Sequence, residues 1–170
     1  MKILMLYGTK SNVTKDIARM IVSDLDAAVT LHNLKRSLPH KIEDFDLIVI
    51  GSPIYMGYMI KSVRKFVLRN LSSLLNKPVA LFIVGADKQL DMDKYLSMSL
   101  PEDLISHLWL KMHLGGEFRH DKHQILRRII IKQVSEENAK SQSGAVNIDK
   151  EAVHQFSHHI KKEMLGDKRV

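Results

Sequence analysis

Three hydroxyl side chains stand at a spacing that suits an anion. Thr9, Ser11 and Thr14 follow an apolar run, Ile3-Leu4-Met5-Leu6-Tyr7, and precede Asp16-Ile17-Ala18-Arg19-Met20-Ile21, where the apolar spacing turns helical. A strand-to-helix turn of this kind aims free backbone N–H groups at one point, with the positive end of the helix behind them. Gly8, Asn12 and Val13 keep the turn open, and Lys10 is its only bulky side chain. Such turns most often hold a phosphate. Three hydroxyls can donate to the phosphate oxygens that backbone amides leave unsatisfied.

Two common phosphate turns are excluded by the same residues. A Walker A loop needs a second Gly followed by Lys and Ser or Thr, but the chain reads Thr14-Lys15-Asp16 there. A dinucleotide fingerprint needs three glycines, and only Gly8 is present. What is left is a Thr-x-Ser-x-x-Thr loop, and the competing reading is an ordinary polar turn in which one hydroxyl caps the helix. The chain contains no cysteine. Disulfides, a thiol nucleophile and iron–sulfur ligation are therefore excluded, and redox chemistry would need a bound cofactor. Tyr55 and His120 are the candidates for a general acid, though each reads better as a structural residue. Glu151, His154 and His158 share one helical face at a spacing a metal could use. With no fourth ligand in sight they read as surface residues, and no metal is expected.

The elements that would position the hydroxyl loop are legible from periodicity. A helix is expected from Thr14 to about Ala27, a strand from Ala28 to Leu34, and a connector at Ser37-Leu38-Pro39-His40. The run Asp46-Leu47-Ile48-Val49-Ile50 is the clearest buried strand, with Gly51 as its stop. Ser52 to Met59 reads as a loop rich in large apolar residues, which something flat or apolar should cover. A helix from Ile60 to Leu75 and a buried strand from Val79 to Val84 follow, with Gly85 to Leu90 as the exit loop. Ser99-Leu100-Pro101-Glu102 has the form of a capping box for a helix reaching Trp109. A last strand is expected near Lys111 to Leu114, then helices at about 122–135 and from Asp149 to Gly166, with a polar loop over 139–146 between them.

Buried strands alternating with amphipathic helices predict a single α/β domain over residues 1–170. Right-handed crossovers favour a doubly wound five-stranded parallel sheet of order 2-1-3-4-5, with helices on both faces. Ligands bind such sheets at the carboxyl ends of strands 1, 3 and 4. Those ends are the hydroxyl turn, the 52–59 loop and the 85–90 loop, which would meet at one crevice.

The hydroxyl turn resembles the FMN phosphate loop of flavodoxins, Ser/Thr-x-Thr-Gly-x-Thr, with Asn12 where Gly is usual. Asn accepts a left-handed backbone better than most residues. The whole chain is similar to flavodoxin-like FMN proteins, and within them to the flavodoxin-type, quinone-linked protoporphyrinogen IX dehydrogenase family. The resembling segments are Lys2 to Thr14, Val49 to Tyr58, and Gly115-Gly116-Glu117-Phe118-Arg119 with the basic stretch after it. The resemblance implies that Thr9, Lys10, Ser11, Asn12, Val13 and Thr14 hold the FMN phosphate. It implies that Pro53, Ile54, Tyr55, Met56 and Gly57 line one side of the isoalloxazine. Val84, Gly85, Ala86, Asp87, Gln89 and Leu90 would line the other. Two departures bear on the substrate: the family's aromatic residues are missing from Arg119-His120-Asp121-Lys122-His123, and its Arg is missing before Gly57. Flavin binding survives these changes, whereas a porphyrinogen substrate does not follow from what remains.

The resemblance thus implies an FMN-dependent oxidoreductase, with quinone as acceptor. The alternatives are an electron shuttle without a substrate of its own and a flavodoxin-fold module that has lost its cofactor. A net charge of +7 points to an anionic small-molecule substrate or redox partner, and a basic rim is expected to raise the flavin potential. Nucleic acid is not expected, because no aromatics interleave the basic residues. No signal peptide or apolar run of membrane-spanning length is evident, so a cytoplasmic location is expected. Arg127, Arg128 and Lys132 beside Ile129-Ile130-Ile131 could touch anionic lipid peripherally, though a helix covering the sheet is the simpler account.

Overall fold

In a computed structural model the chain is described over residues 1–36, 41–85, 91–116 and 148–166. Five parallel strands form the sheet: β1 (Lys2–Tyr7), β2 (Ala28–Asn33), β3 (Leu47–Tyr55), β5 (Val79–Val84) and β6 (Leu110–His113). Their spatial order is β2-β1-β3-β5-β6, the doubly wound order expected from the sequence. A two-residue strand, β4 (Tyr58–Met59), pairs back antiparallel onto the end of β3.

Alternation along the strands sends side chains to two separate cores. Leu4, Leu6, Ile48, Ile50, Leu81 and Ile83 face one cluster. There they meet α2 (Lys61–Arg69), α3 (Leu71–Leu75), α4 (Met92–Ser97) and α5 (Glu102–His107). Ile3, Met5, Val49, Ala80 and Phe82 face the other, covered by α1 (Val13–Asp24) and α6 (Lys150–Gly166). Phe82 and Phe156 meet edge to face there, with centroids 5.7 Å apart. With helices on both faces, the central strands β1, β3 and β5 are buried along nearly their whole length, which is why they read as continuous apolar runs.

Several boundaries differ from the sequence reading, each for a local reason. Strand β3 does not stop at Gly51 but continues to Tyr55. Gly51 is there because a Cβ would lie 2.1 Å from the Phe82 ring, so the residue answers packing rather than chain reversal. The long helix after Ile60 breaks at Asn70, whose side-chain amide donates to the Phe66 carbonyl at 2.8 Å and competes with the helical ladder. The capping box does not form. Pro101 is the residue before α5, and the Ser99 hydroxyl instead accepts from the Met59 N–H at 3.0 Å. Helix α4 is an addition the periodicity did not suggest, and Asp91 caps it by accepting from the Lys94 N–H. Asp149 caps α6 as expected, accepting from the Ala152 N–H at 3.0 Å. The expected connector at 37–40, helix at 122–135 and loop at 139–146 lie outside the described residues.

Candidate functional site

The carboxyl ends of β1, β3 and β5 are held level by register. Tyr7 pairs with Gly51, and Pro53 with Val84. The Gly8 N–H donates to the Gly51 carbonyl at 2.9 Å, so the first two exits are tied at their base. A Cβ on Gly8 would lie 2.5 Å from Ile60 Cδ1. The turn can pass this close to the start of α2 only without a side chain.

Past Gly8 the turn leaves most of its backbone amides unpaired among the described residues. Asn12 is left-handed, with φ 65, and stands as N-cap of α1 without a side-chain capping bond. The first helical bond runs from the Asp16 N–H to the Asn12 carbonyl. Among the described residues, no acceptor meets the N–H groups of Ser11, Asn12, Val13, Thr14 or Lys15. Thr9 is only 4% exposed, and its hydroxyl has no partner among the described residues. Thr14, five residues on, is also buried, Ser11 is half-buried and Asn12 is exposed. No hydroxyl caps the helix. A buried hydroxyl without a partner costs about 1–3 kcal/mol, and a run of unpaired amides opening the following helix is an anion-receptive arrangement.

The β3 exit is built the opposite way. Ile54 and Tyr55 pair with Met59 and Tyr58 across a two-residue turn, Met56-Gly57. Both turn residues have positive φ, 52 and 83. That is the backbone of a tight primed hairpin turn, which normally takes Asn-Gly. Methionine in the left-handed region is strained, and such strain concentrates at functional sites. Met56 is 84% exposed, Tyr55 43% and Tyr58 42%. The base of the hairpin is fixed from inside: the buried Ser52 hydroxyl donates to the Pro53 carbonyl at 3.0 Å and accepts from the Ile60 N–H at 3.3 Å. The sequence reading missed Ser52 and Ser99 as hairpin supports. Ser99 acts across forty residues, and no local spacing could signal it.

The two exits meet. Lys10 places its ammonium 3.4 Å from the centroid of the Tyr55 ring, a cation–π contact joining the hydroxyl turn to the hairpin. The other sequence-derived site residues fall out unevenly. Pro53 is half-buried at the end of β3, and Ile54 packs against the core rather than projecting with Tyr55. Val84 is also a core residue, 4% exposed. Gly85 is half-buried and pinned: its N–H donates to the Gly115 carbonyl at 3.0 Å, and its carbonyl lies 2.9 Å from His113 Nε2. A Cβ on Gly116 would meet the Gly85 backbone at 2.8 Å, so the β5 and β6 exits touch. Ala86, Asp87, Gln89 and Leu90, together with His120, lie outside the described residues. Among the described residues no cluster of potential ligands could hold a metal. His154 instead contacts Asp24 at 2.8 Å, and Glu151 accepts from Gln155.

An α/β sheet of this order with an anion-receptive turn after its first strand defines a flavodoxin-like protein. The family model for the flavodoxin domain matches residues 4–144, and the chain belongs to that family. It is 24% identical over 162 residues to the quinone-linked protoporphyrinogen IX dehydrogenase of Escherichia coli (strain K12), covering 91% of this chain and 87% of that one. Among solved structures it is similar to the Fusobacterium nucleatum flavodoxin bound to flavin mononucleotide. That likeness has 17% identity and a TM-score of 0.57, over 95% of this chain and 98% of that one. It is also similar to the rubredoxin oxygen:oxidoreductase of Desulfovibrio gigas, with 15% identity and a TM-score of 0.61. There it covers 99% of this chain and spans only 37% of the other.

Proposed function

We propose that this chain is a flavoprotein that binds FMN at the joined β1 and β3 exits and transfers electrons through it. The observation that carries the reading is the buried Thr9 hydroxyl, which like the turn amides that follow it has no partner among the described residues. Its cost is offset when a terminal phosphate accepts from it. Thr9, Ser11 and Thr14 and the amides from Ser11 to Lys15 would hold that phosphate, with the positive N-terminus of α1 behind them. Tyr55, Met56 and Gly57 would cover a flat ring, since the hairpin presents apolar surface that nothing in the described chain buries. Bound FMN supplies the hydride- and electron-accepting chemistry that a chain without cysteine lacks.

The finer reading is a dehydrogenase acting on a porphyrinogen or a related anionic substrate, with quinone as acceptor. The Escherichia coli relative supports it, because the similarity runs over nearly the whole of both chains. The competing reading is a shuttle without its own substrate, favoured by the openness of the Tyr55–Tyr58 rim. No helix among the described residues is long and apolar enough to cross a membrane, so contact with a quinone pool would be peripheral.

Fluorescence quenching during FMN titration tests the site. Ser11→Ala and Thr14→Ala should each weaken binding, and unchanged affinity in both would remove the phosphate assignment. Anaerobic turnover of protoporphyrinogen with menaquinone then separates the two activities: turnover supports the dehydrogenase, and its absence in the flavin-loaded protein leaves the shuttle.

A further inference from the structure

Helix α2 carries charge in an arrangement that folding alone disfavours. Its sequence, Lys61-Ser62-Val63-Arg64-Lys65-Phe66-Val67-Leu68-Arg69, holds four cations and no acid. Lys61, Arg64 and Lys65 crowd its first turns, against the positive end of the helix. Lys61 and Lys65, and Lys65 and Arg69, are like-charge pairs at the spacing that brings side chains together. Among the described residues no carboxylate pairs with any of the four. By contrast α6, on the opposite face of the sheet, interleaves Glu151 and Glu163 with its lysines.

The same helix abuts the proposed flavin rim. It starts directly after the hairpin, and Arg64 stacks its guanidinium 5.4 Å from the centroid of the Tyr58 ring. Exposed Met98 lies beside Gly57, extending the apolar rim, and Leu68 is 64% exposed within the basic face. A basic field bordering an exposed aromatic and methionine edge is the surface an acidic redox protein would dock on, charges steering and the apolar edge making contact. From these features we infer that the exposed face of α2, together with the Tyr55–Tyr58 hairpin, is the docking surface for an acidic electron-transfer protein. An anionic membrane fits the helix less well. Val63, Phe66 and Val67 are spent in the core, which leaves Leu68 alone to insert.

The inference rests on the flavin reading only for what docking accomplishes, so its test has two arms. In the first, the reduced, flavin-loaded protein is mixed in stopped flow with an oxidised acidic c-type cytochrome. The second-order rate should fall as salt rises, and Lys61→Glu, Lys65→Glu and Arg69→Glu combined should slow it about tenfold at low ionic strength. Lys150→Glu, Lys161→Glu and Lys162→Glu combined change the net charge equally on the far face and should slow it less than about twofold. In the second arm, the same cytochrome is added to the flavin-free chain and amide shifts are followed by NMR. They should move on α2 and the hairpin, and this arm remains readable even if the protein holds no flavin. Equal slowing by both triple variants, or shifts spread over α6, would reduce the effect to net charge and overturn the inference. Sedimentation with phosphatidylserine vesicles that is lost only in the α2 variant would also overturn it, assigning the face to lipid.

Discussion

The exits of β1 and β3 lie within a cation–π contact of each other and have opposite deficits. At the β1 exit Thr9, Val13 and Thr14 are buried while Lys10 and Asn12 are exposed, and among the described residues the Thr9 hydroxyl and the first amides of α1 have no partner. At the β3 exit Ser52 and Ser99 accept from the backbone N–H groups of Ile60 and Met59 at the base of the hairpin, and what is left exposed is the apolar surface of Tyr55, Met56 and Tyr58. On the proposed reading, one exit would take an anion and the other a flat hydrophobic face. A ligand that answers both is amphiphilic, with a charged tail and an aromatic head. That complementarity, rather than either loop alone, is what argues for a phosphorylated flavin.

Breaking the base that the two exits share should have the largest effect. Gly51→Ala puts a methyl into the Phe82 ring, and a ring buried between β5 and α6 has little room to move. The expected loss is about 1–3 kcal/mol in urea unfolding. FMN and riboflavin binding should fall together. A variant as stable as the parent would mean that the Phe82 side chain repacks freely.

The next two substitutions separate the exits. Thr9→Val should weaken FMN about 10–100-fold while leaving riboflavin, which lacks the phosphate, nearly unchanged. The same change removes a buried orphan hydroxyl, so the flavin-free protein should become more stable by about 1 kcal/mol. Opposite signs in binding and stability are hard to produce by general damage. Tyr55→Ala should weaken FMN and riboflavin by the same factor, about tenfold, because it removes ring cover and not phosphate contact. If Tyr55→Ala altered only FMN, the division of labour between the exits would be wrong.

How far this division was legible in the sequence depends on the range of the forces involved. The hydroxyl turn is local: an apolar strand, small polar residues and a helical period all lie between Ile3 and Ile21, and the left-handed Asn12 follows from its side chain. Strand order followed from alternation and crossover handedness, which are also near-sequence rules. From sequence alone the hairpin reads as a loop that begins at a strand-ending Gly51. Its actual reason is Phe82, thirty-one residues on, which no local pattern reports. Likewise Ser99 was assigned to its nearest helix, when a backbone N–H forty residues away claims it. The break at Asn70 was readable in principle, since Asn side chains compete for backbone carbonyls, but the apolar period on either side of it continues unbroken.

The smallest expected effect lies at the other end of the strands and asks whether the exits are independent of it. Glu43 precedes β3, and its carboxylate accepts from the Ser73 hydroxyl at 2.6 Å while its carbonyl accepts from Lys77 Nζ at 3.0 Å. The Ser73 hydrogen bond, helped by a backbone bond and by Lys77 and Lys41, holds the carboxyl below its ordinary value of 4.5. A lowered value in the folded state means stability that is present above the ordinary value and is lost as pH falls through the folded one. Glu43→Gln should therefore lower the melting temperature slightly at neutral pH, and the gap to the parent should close in acid. The group is fully exposed, so solvent and salt screen the effect and high salt should shrink it further. FMN affinity should not move, because the nine residues of β3 separate Glu43 from the hairpin and the exposed charge is screened over that length. A parallel change in FMN affinity would couple the two ends of β3, and the contrast between the exits would then belong to the whole strand.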